Sequence, residues 1–212
     1  MRPPHTKDSL RQSILDAAGE LFVSFGYENT SMRKIAERIR YSPTTIYLHF
    51  RDKADLFQCL CKDTFGSLTG RFENLRHPSG DPVELLKLGC RAYVEFGLEH
   101  PSHYQATFMM CDRQQLRPEE SESVQAAGME AFAHLRRGVQ NCIDAGRFPN
   151  TDAETASQVI WSSLHGLTSL LIAKCGFPWV EQDRLVTTLV DTLIEGFSVS
   201  GDRAATRYSA NS

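Results

Sequence analysis

The chain has 212 residues, 41% hydrophobic and 23% charged, with a formal net charge of −3. This is the composition of an ordinary soluble globular protein, long enough for one large domain or two small ones. No apolar run approaches the ~20 residues of a bilayer span, and the first eight residues lack the apolar stretch of a signal peptide, so a cytoplasmic location without membrane contact is expected. Six cysteines (59, 61, 90, 111, 142 and 175) lie scattered over the chain, which argues against a disulfide framework. Charge is unevenly placed. Residues 1–55 carry nine Lys/Arg against seven Asp/Glu, residues 56–212 fourteen against nineteen. A mildly basic head on an acidic body suits a head that faces phosphate.

Periodicity is helical nearly throughout, so the predicted class is all-α. After a disordered arm (1–8), Ser9-Leu-Arg-Gln12 fits a capping box. Ile14, Ala18, Leu21, Phe22 and Phe25 then recur at helical spacing until Gly26 stops the helix. A second helix starts near Ser31, with Met32, Ile35, Ala36 and Ile39 on one face. Ser42-Pro43 places a capping side chain before a proline at the first helical position of a third, short helix that ends near Phe50. Asp52 caps a fourth helix with an apolar stripe through Leu56, Phe57, Leu60, Phe65, Leu68, Phe72 and Leu75. Beyond the break at His77-Pro-Ser-Gly-Asp-Pro82, further helices are predicted at about 82–99, 102–111, 119–146, 152–174 and 179–198. The tail, 199–212, is expected to be disordered.

The second and third helices are joined by only Arg40-Tyr41-Ser42. Two short helices on so tight a turn form a helix-turn-helix, whose second helix can enter a major groove, although any small three-helix unit has similar spacing. Ile35, Ala36, Ile39, Ile46 and Phe50 are expected to bury against the first helix. Pro43, Thr44, Thr45, Tyr47, Leu48 and His49 are then left with little core work. Threonine hydroxyls and methyls suit base edges, and Tyr47 and His49 can reach phosphates.

Ile14-Leu-Asp-Ala-Ala18 through Phe22, Gly26-Tyr27, Thr30-Ser31, Ile35-Ala36, Ser42-Pro-Thr-Thr-Ile-Tyr-Leu-His-Phe50 and Lys53-Ala-Asp-Leu56 closely resemble the DNA-binding domain of the TetR/AcrR family. The resemblance implies an all-helical homodimer with a helix-turn-helix domain at 9–53 and a ligand-binding and dimerisation domain at 54–198. It implies a repressor that binds a pseudo-palindromic double-stranded operator and is released by a small molecule of unknown identity, which the aromatic and methionine side chains of the body lead us to expect to be largely apolar. Carried over residue by residue, it assigns Arg33, Pro43, Thr44 and Thr45 to base edges and Tyr47, His49 and Lys53 to phosphates. Ser31 and Ser42 would be caps whose helix N-termini face the backbone. Arg40 departs from the family's usual glycine, at a cost of about 1 kcal/mol or more if φ is positive. Trp161-Ser-Ser-Leu-His-Gly-Leu167 resembles a Trp-x-x-x-His-Gly signature of one TetR subgroup.

In the body, Tyr93, Phe96, Tyr104, Phe108, Met109 and Trp161 could line a cavity with His103 and His165 as polar handles; a plain packed core is the alternative. Leu185/Val186, Leu189/Val190, Leu193/Ile194 and Phe197 form a doubled apolar stripe, wide enough for one half to meet a second subunit at Leu185, Leu189, Leu193 and Phe197. His100 and His103 at i, i+3 with Cys111 nearby invite a metal reading. No carboxylate partner is evident, so no metal and no cofactor are expected. Cys59 and Cys61 point about 200° apart on a helix and form a core-and-surface pair. No nucleophile elbow, phosphate-binding glycine loop or metalloprotease helix is present, so no enzymatic activity is expected, and Glu119, Glu120 and Glu122 read as a solvated face. An architectural DNA-binding protein is the other alternative, but it would leave the acidic body unexplained.

Overall fold

In a computed structural model of the protein, residues 7–75, 80–110, 116–173 and 176–199 are described. Among them nine helices and no strand occur: α1 (Lys7–Asn29), α2 (Met32–Ile39), α3 (Pro43–Tyr47), α4 (Lys53–Asn74), α5 (Pro82–Glu99), α6 (Pro101–Phe108), α7 (Pro118–Asp144), α8 (Ala153–Ala173) and α9 (Gln182–Val199). No helix of the described residues is long and apolar enough to cross a membrane. The chain divides into two compact units, Met1–Ser67 with His100–Met129 and Leu68–Glu99 with Glu130–Ser212. Segment 9–53 thus belongs to a unit that also holds the start of α4, all of α6 and the start of α7. The tail beyond 199 and most of the expected arm lie outside the described residues.

The first unit is built on the apolar face of α1. Ile14, Leu15, Ala18 and Phe22 are buried with Met32, Ile35, Ala36 and Ile39 of α2, Ile46 of α3, Phe50, and Leu56, Phe57, Leu60 and Cys61 of α4. Ala106, Leu116 and Val124 complete this core. Phe22, Tyr27 and Phe57 meet as a three-ring group with centroids 5.1–5.5 Å apart, within the range that favours aromatic pairs. In the second unit α5 packs on α8 and α9. Its core takes Leu86, Cys90, Tyr93 and Phe96 from α5, Ile160 and Leu164 from α8, and Val186, Val190 and Ile194 from α9. Burial pushes the thiols of Cys90 and Cys142 up to about 12 and about 11. They serve as small apolar groups, without the thiolate that reactivity or metal binding needs.

Several boundaries differ from the sequence reading for local reasons. Helix α1 begins at Lys7, so Ser9 lies inside it. The Ser13 hydroxyl donates to the Ser9 carbonyl and the Gln12 amide donates to Asp16, so the expected capping box is absent. Gly26 does break α1, with φ 79° and ψ 162°, and one further turn runs to Asn29. The break turns Phe25 outward, 56% exposed, where a core position was expected. Helix α9 starts at Gln182 because the Glu181 carboxylate accepts the Asp183 and Arg184 amides, at 2.9 and 2.8 Å. Glu120, read as solvated, is 1% exposed.

The φ/ψ pair of Gly26 is essentially closed to residues with a side chain, and a Cβ built there meets nothing within 4 Å. Any cost of substitution is therefore backbone strain. Gly26→Ala should lower stability by ~1–3 kcal/mol, read as a lower denaturant midpoint at unchanged slope. Arg40→Gly, at a left-handed position, should move the midpoint the other way.

Candidate nucleic-acid interface

Helices α2 and α3 are too short to stand alone and are held by caps. Ser31 accepts the Lys34 amide at 3.3 Å, and Ser42 accepts the Thr45 amide at 3.2 Å ahead of Pro43. Between them the chain reverses through Arg40, at φ 61° and ψ 44°. The Tyr41 amide donates to the Ala36 carbonyl and the Arg40 amide to the Glu37 carbonyl, the bonding of a Schellman motif with arginine where glycine is usual. The left-handed turn that sequence made conditional is therefore present.

Within α3 only Ile46 is buried. Pro43, Thr44 and Tyr47 are exposed, as is Leu48 at the C-cap, whose 78% is the largest exposure among the described large apolar residues. Sequence reasoning left Leu48 out of the site residues; the signal for it was its lack of a core partner at helical spacing. Thr45 is half-buried and its hydroxyl lies 2.9 Å from that of Ser42, so the cap already uses it. His49 is half-buried, its ring 6.4 Å from that of Phe50. Arg33 stands exposed on α2 in an ion pair with Glu37 at 2.9 Å. Lys53 points its ammonium at the Tyr27 carbonyl, 2.8 Å away, and over the Tyr27 ring at 4.1 Å. The exposed Arg33–Glu37 pair contributes about 0–1 kcal/mol, so phosphate can displace it.

The eight residues expected to line a cavity fall into two groups, one per unit. In the second unit Tyr93, Trp161 and His165 converge. The Trp161 indole N–H donates to the Tyr93 hydroxyl at 3.3 Å, which lies 3.5 Å from Nδ1 of His165. Phe132 meets Trp161 edge to face, and Phe96 is buried beneath the guanidinium of Arg71. Burial holds the His165 imidazole below its usual range, so it is neutral at neutral pH. In the first unit Tyr104 and Phe108 pack ring on ring, and Phe108 meets Phe65. His103 is buried with Nε2 3.0 Å from Asp16, so its polar end is already engaged, and Met109 is 49% exposed. Cys111, the third member of the metal reading, lies outside the described residues. Along α9, Val186, Val190 and Ile194 are buried while Leu185, Leu189 and Leu193 are half-exposed, so the doubled stripe does separate into two faces. Phe197 packs 5.7 Å from Phe148 of its own core.

Residues 14–60 match the family model described as bacterial regulatory proteins, tetR family, and residues 86–195 match the model described as tetracyclin repressor-like, C-terminal domain. An HTH-type transcriptional regulator of Staphylococcus aureus, SAB2452, is 28% identical over 96 residues, covering 44% of this chain and 52% of its own. The chain thus spans about half the length of that relative. The HTH-type transcriptional activator FasR of Mycolicibacterium smegmatis is 24% identical over 196 residues, covering 90% of this chain and 80% of its own. The FadR regulator of Bacillus subtilis, solved in complex with stearoyl-CoA, shares the fold with a TM-score of 0.74 at 20% identity, covering 87% of this chain and 98% of its own.

The His103–Asp16 contact, joining α6 to α1, gives a pH test. Its hydrogen bond holds the Asp16 carboxyl below 3.8, its ordinary value. A depressed carboxylate stabilises the fold above its unfolded value, and that contribution is lost as pH falls through the folded one. Asp16→Asn should therefore lower the melting temperature near neutral pH. The difference from wild type should shrink as pH drops below 3.8, as thermal melts across that range would read.

Proposed function

The chain belongs to the tetR family of bacterial regulatory proteins, and on that premise we propose that it is a sequence-specific DNA-binding transcriptional regulator, a cytoplasmic homodimeric repressor released by a small, largely apolar effector. The observation that carries this reading is α3. It spends one side chain on the core and leaves Pro43, Thr44, Tyr47 and Leu48 on the surface, behind a turn fixed by Arg40 and Ser42. Thr44 is the most available hydroxyl for a base edge, because Thr45 is committed to the cap. Tyr47, His49 and Lys53 serve the phosphates, and Arg33 adds a base-edge guanidinium once it leaves Glu37. Two such helices related by a two-fold axis would enter successive major grooves about 34–36 Å apart, which requires a pseudo-palindromic operator.

The half-exposed leucines of α9 support the dimer, since a solitary fold has no use for a second apolar face on a helix already buried along Val186, Val190 and Ile194. The Tyr93–Trp161–His165 group, two aromatic rings and a neutral imidazole in a mostly apolar unit, supports a largely apolar effector that carries a polar group. The stearoyl-CoA of the Bacillus FadR sets the first class to try. Helix α4 is continuous from the DNA-reading unit into the second unit, so a tilt of α4 would alter the spacing of the two α3 helices. Because FasR is named an activator, activation is the second reading, and in vitro transcription from the selected operator tells the two apart.

Selection of duplexes from a random pool should yield an operator with two-fold symmetry. On it, Thr44→Ala should relax preference at one base pair of each half-site by about 1–3 kcal/mol, whereas Lys53→Gln should weaken all sequences evenly and reduce the salt slope by about one. If neither variant alters binding, α3 is not the reading element. Leu189→Asp should give monomers in sedimentation at micromolar concentration; a wild-type monomer there would remove the dimer. An acyl-CoA that raises the melting temperature should bind operator-bound protein about 5–150-fold more weakly than free protein; equal binding would exclude release through that site.

A further inference from the structure

Glu120 is a carboxylate 1% exposed in the first turn of a helix that otherwise begins on the surface, and nothing in DNA recognition or effector binding uses it. Both of its oxygens are engaged. Oε2 takes the Arg117 amide at 3.1 Å, and Oε1 takes Arg117 Nε at 2.9 Å, Arg117 Nη2, and Arg51 Nη2 at 3.3 Å. Arg117 reaches on through Nη1 to Asp52 Oδ2 at 3.0 Å. Asp52 in turn caps α4 by accepting the Asp55 amide at 2.9 Å, and the Arg51 amide donates to the Asp55 carboxylate at 2.8 Å. The start of α7 is thus tied by charge-assisted bonds to the link between α3 and α4, all within the first unit.

We infer that Arg117 and Glu120 are positioning residues for DNA reading: they clamp Arg51 and Asp52, and so fix the direction in which α3 leaves α4. The inference rests on the DNA-binding reading above. Only Leu48, His49 and Phe50 separate α3 from Arg51. Ile46 and Phe50 are anchored in the core and Ser42 caps the N-terminal end of α3, so at its C-terminal end the direction of the chain is set by Phe50 and by the Arg51–Asp52 pair that follows it. Leu116 and Val124 bring α7 into the same core and set where Glu120 sits. Apolar contacts seat α7, and the ionic ones register the turn against it. Arg51 and Arg117 keep much of their surface in water while Glu120 does not. The clamp can therefore open at its outer bonds without exposing its centre, as a device that moves with α7 would require.

The test uses the full-length protein and an operator duplex selected from a random pool by wild type. Arg117→Gln and Glu120→Gln should each weaken operator binding about tenfold or more. Binding to an unrelated duplex and the slope of log affinity against log salt should stay as in wild type. Amides of residues 49–55 should exchange faster with solvent, and Arg117→Lys, which can still bond one carboxylate, should recover part of the affinity. Unchanged operator affinity and unchanged exchange in a folded Arg117→Gln protein would overturn the clamp. So would an even loss on both duplexes with the slope reduced by about one, which is the signature of a phosphate contact. If wild type selects no operator, the DNA-binding reading has failed, and exchange at 49–55 alone decides whether the clamp exists. Should Arg117→Gln not fold, Arg51→Gln removes the exposed partner of Glu120 and is judged by the same measurements.

Discussion

A helix of five residues has no stability of its own. Its nucleation is unfavourable, and in water even a good helix former needs about 12–15 residues. Helix α3 (Pro43–Tyr47) exists because its ends are made for it and because one side chain, Ile46, is fully buried. The Ser42 cap contributes about 0.5–2 kcal/mol and Ile46 about 1.5–3 kcal/mol, and Pro43 removes a donor that would otherwise be unsatisfied. Everything proposed about DNA follows from that economy, since a helix that spends a single residue on the core has the rest to present. It also makes α3 dependent on its neighbours. Phe50 and Ile46 are held only as firmly as α1, α2 and α4 hold the core around them, and the Phe22–Tyr27–Phe57 rings sit where α1 ends and α4 begins.

How basic residues are disposed around this helix follows the same logic. Arg33 pairs with Glu37, Arg38 with Glu20, Arg51 with Asp55 and Glu120, and Lys53 with the Tyr27 carbonyl. The positive excess of the first 55 residues is small, and these cations have protein partners. A dense field that attracts any phosphate, as architectural proteins use, is not what this arrangement offers. Pairs that are mostly exposed exchange one partner for another at little cost, so geometry decides where charge is delivered. That favours discrimination between sequences over bulk affinity.

What sequence made legible here is what local chemistry decides. The caps at Ser31, Ser42 and Asp52, the break at Gly26 and the three-residue turn all depend on residues within a few positions of one another, and each is found in the structure. The errors arise where partners are distant. Ser9 is a local exception: it carries a cap's side chain but sits inside a helix that begins two residues earlier. Glu120 lies among glutamates that face solvent, and only Arg117 and Arg51, the latter 69 positions away in the chain, make its burial tolerable. Periodicity located the helices of the body without saying which of their side chains meet. A cavity set drawn from α5, α6 and α8 therefore divided into Tyr93, Phe96, Trp161 and His165 in one unit and His103, Tyr104, Phe108 and Met109 in the other. Along α9 the doubled stripe was legible because both halves lie on one helix. Phe197 was not, because its partner Phe148 lies in a loop about 50 residues earlier.

The energies involved suggest why such a protein needs no large rearrangement to be regulated. Allosteric coupling between an effector and an operator is typically 1–3 kcal/mol. That is the scale of one cap, or of a few charge-assisted hydrogen bonds at partly exposed sites. The Ser42 cap of α3 is of that size. A change that costs the Arg51–Asp52 link one or two of its bonds to α7 would be commensurate with the coupling, while the apolar core of Ile14, Phe22, Ile35 and Phe57 would stay closed throughout. Reading and release would then be separated by strength. The core would keep the helix-turn-helix folded in both states, and weaker ionic contacts at its edge would choose the direction in which α3 points.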